Sequence, residues 1–307
     1  MFMYKILLLI IFFSTLQVVD VFAQELPDSF ALFDEKELLK HVESLSSDVF
    51  EGRRTGTNGA SKTRKYIINQ FHTLKVKSLG ESFEQHFVFV NNRKQYNATN
   101  ILGRIKGTTF PEKYIVISAH YDHEGVKYGK IYNGADDNAS GVGALFAFAE
   151  YLKNKSPKHS VILAAFDGEE LGLQGSKYFV ENSIIQFQDI IVNLNMDMIS
   201  RSDKKELYVV GTSENNKLKS LVLDSKRQNK IKLVTGHDGY DGLDNWTYSS
   251  DHANFYKKGV PFLYFGVEDH KDYHEPTDDY ENIHPEFYTE AVKTIISVFE
   301  KIDHSKL

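Results

Sequence analysis

The 307-residue sequence predicts an α/β protein, a three-layer αβα sandwich around a mainly parallel central sheet. Three observations carry that expectation. Ile115-Val-Ile117, Ser160 to Phe166 and Ile190 to Met196 are continuous apolar runs, as required of strands buried on both faces. Stretches with helical spacing of apolar residues lie between such runs. Each run also stops at a histidine or carboxylate, and open α/β sheets bind ligands beyond the carboxyl ends of their strands.

In chain order, Met1 to Ala23 places Lys5 before an apolar run from Ile6 to Phe13 and ends in Val21-Phe22-Ala23, ahead of Gln24. This anatomy predicts a secretory signal peptide over residues 1–23, cleaved after Ala23. Ser14, Thr15, Gln17 and Asp20 interrupt the run well short of the ~20 apolar residues a membrane span requires. The mature chain, residues 24–307, is expected to be one catalytic domain, secreted or periplasmic, with no stable membrane anchor. A hydrophobic content of 41%, a charged content of 25% and a net charge of −6 suit a globular chain and favour no nucleic-acid partner. Cysteine is absent, which excludes disulfides, thiolate metal sites and a cysteine nucleophile, and restricts metal ligands to N and O donors.

Helical spacing covers Glu35 to Leu45, and Ser47 to Arg54 breaks it. The Gly52-Arg53 and Gly56-Thr57 turn leads into a second helix from Ala60 to Leu74, and the pair is expected to cover the sheet. Phe83 to Val90 and Thr99 to Ile105 read as strands about a polar turn. Asn97-Ala-Thr99 has the spacing of a glycosylation sequon. The strand from Ile115 delivers His120 to its carboxyl end. Asp122 is expected to accept the other ring N–H of His120; His123, in the same HYDH stretch, is the one remaining histidine to watch, although its surroundings also suit simple loop packing. Gly134-Ala-Asp-Asp-Asn-Ala-Ser-Gly141, whose small residues let carboxylates approach a cation, precedes a helix over Gly141 to Tyr151. The next two strands end in Asp167-Gly-Glu-Glu170 and Asp197. Adjacent side chains on a strand face opposite ways, so Glu169 and Glu170 can share a site only if the chain turns, which Gly168 and Gly172 permit. Glu206 to Gly211 and Pro261 to Phe265 read as strands, Ile231 to Val234 as an edge strand, and Glu214 to Arg227 as a helix whose end runs into the solvated charges of Lys226 to Lys230. Tyr240, Trp246 and Tyr248, in or near the loop Gly236 to Asp244, are candidates for a pocket wall or equally for a local surface cluster, and His252 reads as a structural residue. Pro285 to Ile302 closes the chain as an amphipathic helix.

The ordered set His120, Asp122, Asp137, Glu169-Glu170, Asp197, Ser250-Asp-His252 and Tyr273-His274 resembles peptidase family M28, the zinc aminopeptidases, over nearly all the chain after the leader. The resemblance implies two metal ions, most simply Zn2+. It assigns His120 and Asp197 to one ion, Glu170 and His274 to the other, and Asp137 as the bridging carboxylate. It also places Glu169 as general base, and a cis peptide bond at Asp137-Asn138. Carboxylates and imidazoles suit paired divalent ions about 3.5 to 4 Å apart, which lower the pKa of a bridging water and polarise a carbonyl. The implied substrate is a peptide with a free amino terminus. Glu169 would take the water proton and return it to the leaving amine, while Tyr273 either donates to the oxyanion or packs. Two other functions remain open: a glutaminyl cyclase of the same fold, against which a complete two-metal set argues, and a non-catalytic metal-binding relative, against which Glu169 argues.

Overall fold

The first helix, α1 (Glu35–Leu45), is capped by the Asp34 carboxylate, which accepts from the main-chain N–H groups of Lys36 and Glu37. Thr57 caps α2 (Asn58–Thr73), which buries Ile67 and Phe71. The computed structural model describes residues 32–213, 215–225 and 230–305; the expected leader and most of the Lys226 to Lys230 run lie outside them. Between the two helices, residues 48–53 form a tight 3-10 segment in which Glu51, Gly52 and Arg53 all have positive φ. Strands β1 (Lys77–Ser78), β2 (Glu84–Asn91) and β3 (Lys94–Ile105) follow. Asn92 and Arg93, at φ 48° and 64°, close the β2–β3 hairpin, in the left-handed region that tight two-residue hairpin turns require.

The remaining elements are β4 (Phe110–His120), the small hairpin β5 (Gly125–Lys127) and β6 (Lys130–Tyr132), α3 (Gly141–Asn154), β7 (His159–Phe166), α4 (Gln174–Glu181), β8 (Ile190–Met196), β9 (Glu206–Val210), α5 (Asn216–Ser225), β10 (Lys232–Thr235), α6 (His252–Lys257), β11 (Phe262–Gly266) and α7 (Pro285–His304). The main sheet runs β1-β3-β7-β4-β8-β11-β9-β10, with β2 paired to β3. Its central strands β7, β4, β8 and β11 are parallel, while β3 and β9 flank them in the antiparallel sense.

Period-two alternation along these buried strands builds the two outer layers. Ile115, Ile117, Val161, Leu163, Val192 and Leu194 face a core shared with α1, α3 and α7. Val116, Ile162, Ala164 and Phe166 face the other way, against Phe179 of α4 and Phe255 of α6. The register then lines up the carboxyl ends: His120 lies opposite Phe166, Ser118 opposite Asn195, and Phe265 opposite Met196. One edge of the sheet therefore presents His120, the segment after Phe166, and Asp197 side by side. At the opposite edge the buried Asp303 of α7 accepts from the main-chain N–H groups of Lys158 and His159, each at 2.8 Å, tying the last helix to the start of β7.

The expected helical pair does more than cover the sheet. Arg53, fully buried, donates through its guanidinium to the main-chain oxygens of Leu45, Tyr121, Asn133, Gly134 and Asp137. No carboxylate is among these acceptors. The arginine instead binds the segments that follow β4 and precede α3 into one bed.

Candidate metal centre

His120, at the end of β4, is almost fully buried, and its Nδ1 lies 3.0 Å from the main-chain oxygen of Asp122. A carbonyl only accepts, so Nδ1 carries a proton and donates to it. Nε2 points at two carboxylate oxygens, Asp197 Oδ1 at 3.1 Å and Asp137 Oδ1 at 3.3 Å; it donates to them when protonated and offers its lone pair only when a cation takes the proton's place. The expectation that the Asp122 carboxylate would orient His120 needs correction: its Oδ1 stands 3.8 Å from Nδ1, and the main-chain carbonyl takes that role. The carboxylate is occupied elsewhere. Its Oδ1 accepts from the Glu169 N–H at 3.0 Å and its Oδ2 from the Thr55 hydroxyl at 3.1 Å. Asp122 thus fixes the backbone of the Glu169 turn.

Asp137 presents one oxygen to each half of the site. While Oδ1 faces His120, Oδ2 lies 3.2 Å from His274 Nε2, and His274 Nε2 is also 3.2 Å from Glu170 Oε2. The Asp137-Asn138 bond is cis. The main-chain N–H of Asp137 donates to Asp278 Oδ2 at 3.0 Å and that of Asp136 to Asp278 Oδ1 at 2.9 Å. Glu169 and Glu170 diverge as the intervening turn allows, with Gly168 and Gly172 at φ 74° and 97°. Glu169 lies with His120 and Asp197, whereas Glu170 lies with Asp137 and His274. Imidazole–carboxylate spacings of 3.1 to 3.3 Å match the ~3.3 Å edge of a tetrahedron with bonds of 2.0 to 2.1 Å, so each histidine and its facing carboxylates are spaced as ligands of a common divalent ion would be.

The electrostatics point the same way. Burial disfavours charge on His120 and His274, but the surrounding carboxylates outweigh it, holding the His120 pKa well above its usual value and pushing His274 up to about 11. Burial raises Glu169 well above the ordinary carboxylate range; His120 opposes, and Asp197, Glu170 and Asp251 reinforce. Crowded acids with so little cationic compensation form a site built for positive charge.

A cavity of about 420 Å3 opens onto these donors. Its lining includes Asp137, Glu169, Glu170, Asp197, Asp244 and Asp269, with no lysine or arginine among the described residues. Tyr273 lines it too, its ring stacked on His274 with centroids 4.0 Å apart, and burial with nearby Asp137 and Asp197 keeps its phenol protonated. Of the three aromatic candidates for the wall, Trp246 reaches the cavity. Its Nε1 donates to Asp244 at 2.7 Å and its ring stacks 3.6 Å from that of His237. Tyr240 and Tyr248 are exposed and outside the lining. His252 lies stacked between Phe262 and Tyr264, with Nε2 2.9 Å from the Trp246 main-chain oxygen.

The profile described as Peptidase family M28 matches residues 100–299, which span β4, the acidic loop, the Glu169 turn, Asp197 and His274. The chain belongs to peptidase family M28. Among curated relatives of this M28 peptidase, it is 29% identical over 245 residues to Aminopeptidase YwaD of Bacillus subtilis, covering 76% of this chain and 48% of the relative. It is 27% identical over 170 residues to the alkaline phosphatase isozyme conversion protein of Escherichia coli, covering 50% of this chain and 49% of that one. The chain thus spans about half the length of these relatives. Among solved structures, a zinc aminopeptidase from Bacillus subtilis superposes with a TM-score of 0.69 at 19% identity, over 89% of this chain and 97% of that one. A glutaminyl cyclase from Porphyromonas gingivalis gives 0.72 at 18% identity, over 88% and 99%. At such identity the two structures share the fold with this M28 chain, and the residues of its own site must separate their chemistries.

Proposed function

We propose that this M28 peptidase is an exported, two-zinc aminopeptidase that removes amino-terminal residues from peptides. The observation that carries the reading is the pair of donor sets joined by the two oxygens of Asp137, beneath a cavity lined with acids and, among the described residues, without lysine or arginine. Such a wall attracts a protonated α-amine and repels a carboxylate, so it suits the amino end of a peptide rather than its carboxyl end. His120, Asp197 and Asp137 would hold one ion, and Glu170, His274 and Asp137 the other. When bound, the ions supply the positive charge that lowers the pKa of water and polarises the scissile carbonyl. Glu169, its basicity raised by burial and its backbone fixed by Asp122, takes a proton from the attacking water and delivers it to the leaving amine. Tyr273, protonated and facing the cavity, donates its O–H toward the developing oxyanion.

The reading of residues 24–307 as one catalytic domain is supported by the compact unit Leu32–Leu307. Among the described residues no helix is long and apolar enough to cross a membrane. Export rests on the leader anatomy, and amino-terminal sequencing of exported protein should begin at Gln24. The activity is tested by counting zinc per chain while assaying aminoacyl amides, their N-acetylated forms and glutaminyl peptides. Two ions and hydrolysis of the free-amine substrates alone are expected. Pyroglutamate release with one ion would move the assignment to a glutaminyl cyclase.

A further inference from the structure

His123 stands three residues after His120 and is fully buried, yet neither ring nitrogen has a hydrogen-bond partner. Its Nδ1 lies 2.8 Å from Glu170 Oε1 and 3.5 Å from Asp137 Oδ2. The short contact to Glu170 is not aligned as a hydrogen bond, and Glu170 Oε1 is itself a buried oxygen without a partner. Two close, unpaired, buried polar atoms are costly to leave so unless a third body satisfies both.

The ring is also held in this position. A Cβ at Gly134 would stand 2.6 Å from both Cγ and Cδ2 of His123, so only glycine lets the imidazole lie flat against that turn. Nδ1 of His123, one oxygen of Asp137 and one of Glu170 lie close enough together to share an ion. The ion that Glu170 Oε2 and His274 would hold sits against the same two carboxylates.

Resting on the two-metal reading above, we propose that His123 is a ligand in its own right: its Nδ1 joins His274, Asp137 and Glu170 on the second ion, with the Glu170 carboxylate spanning the two imidazoles through Oε1 and Oε2. The centre is then asymmetric. One half has a single imidazole, His120, and the other has two. More nitrogen donors favour zinc, cobalt or copper over magnesium and calcium in the second half.

The test is X-ray absorption at the zinc edge on tag-free, fully loaded enzyme, with metal content measured on the same sample. Three imidazoles shared between two ions are expected in the wild type. In His123→Ala the count should fall to two, with at least about tenfold weaker retention of one ion under competition by a chelator. Thermal unfolding of the metal-free variant shows whether the substitution also disturbs the fold, and should Ala not fold, the wild-type count alone decides. Two ions sharing two imidazoles in the wild type would overturn the role of His123 and leave the two-metal reading standing. Failure to retain zinc at all would overturn both.

Discussion

At the scale of single residues, Glu169 and Glu170 are neighbours in sequence with separate proposed tasks, and their amide variants should divide accordingly. Glu169→Gln removes proton transfer while leaving both donor sets intact, so turnover should fall about 10²- to 10⁴-fold at nearly normal metal content. Glu170→Gln withdraws a charged oxygen next to His274 and His123, so one ion should be lost and excess zinc should partly restore the rate. Zinc content and peptide turnover for both variants, with and without added metal, check this; normal turnover in Glu169→Gln would sink the assignment. His120, Glu169-Glu170 and Asp197 were legible because each follows an apolar strand, and Asp137 because it lies in an acidic glycine loop; their roles, and the place of His274 in a loop after β11, were legible only through the resemblance to family M28. Asp122 was legible in place but not in partner, since its carboxylate reaches Thr55 and the Glu169 N–H rather than the adjacent imidazole. Arg53 was legible only as part of a turn, and Asp278 not at all, because their partners are main-chain groups distant in sequence, which leave no pattern in side-chain spacing.

At the scale of elements, the long buried strands and long helices were legible, but α4, α6 and the β5–β6 hairpin were not. The two helices have 8 and 6 residues, too short for an apolar stripe to repeat, and each is fixed by tertiary packing on the second face of the sheet. Helix α1 offers a test of its own packing. His41 is buried edge-on to Phe146 of α3, with Nδ1 2.9 Å from the Tyr66 hydroxyl of α2. Burial pushes its pKa down to about 4, against a weaker opposing pull from Glu37. Above pH 6.5 the ring is neutral whether folded or unfolded, and its packing contributes in full. As pH falls from 6.5 towards 4 the unfolded chain takes up a proton that the folded one refuses, and stability drains away by up to roughly 3 kcal/mol. Urea unfolding of metal-free protein between pH 8 and pH 4.5 should therefore show a shallower loss in His41→Phe than in wild type. Equal slopes would mean that the ring is charged in the folded state.

At the scale of the whole molecule, the site draws on β4, the loop before α3, the segment after β7, the end of β8 and the loop after β11, and so depends on the finished fold. Anything that binds only the assembled donors stabilises the entire unit by mass action. Zinc at 1,000 times its dissociation constant should add about 4 kcal/mol, which for a chain of this size raises the melting temperature by roughly 10 °C. Calorimetry with chelator and with graded zinc should show a midpoint that climbs with metal concentration. A midpoint indifferent to zinc would mean that the acids hold no ion in the native state.

The divided carboxylate of Asp137 has a consequence for the order in which such a centre fills. In the proposed centre a first cation on the His120 side would draw electron density from Oδ1 of the same carboxylate whose Oδ2 lies 3.2 Å from His274, so the halves would be linked rather than independent. Thermodynamic reciprocity then requires that occupation of either half alter the affinity of the other by the same factor. Calorimetric titration of metal-free protein should resolve two unequal steps, and Asp137→Asn, which keeps the shape but removes the shared charge, should weaken both. Two identical, uncoupled steps in the wild type would show that the bridge transmits nothing.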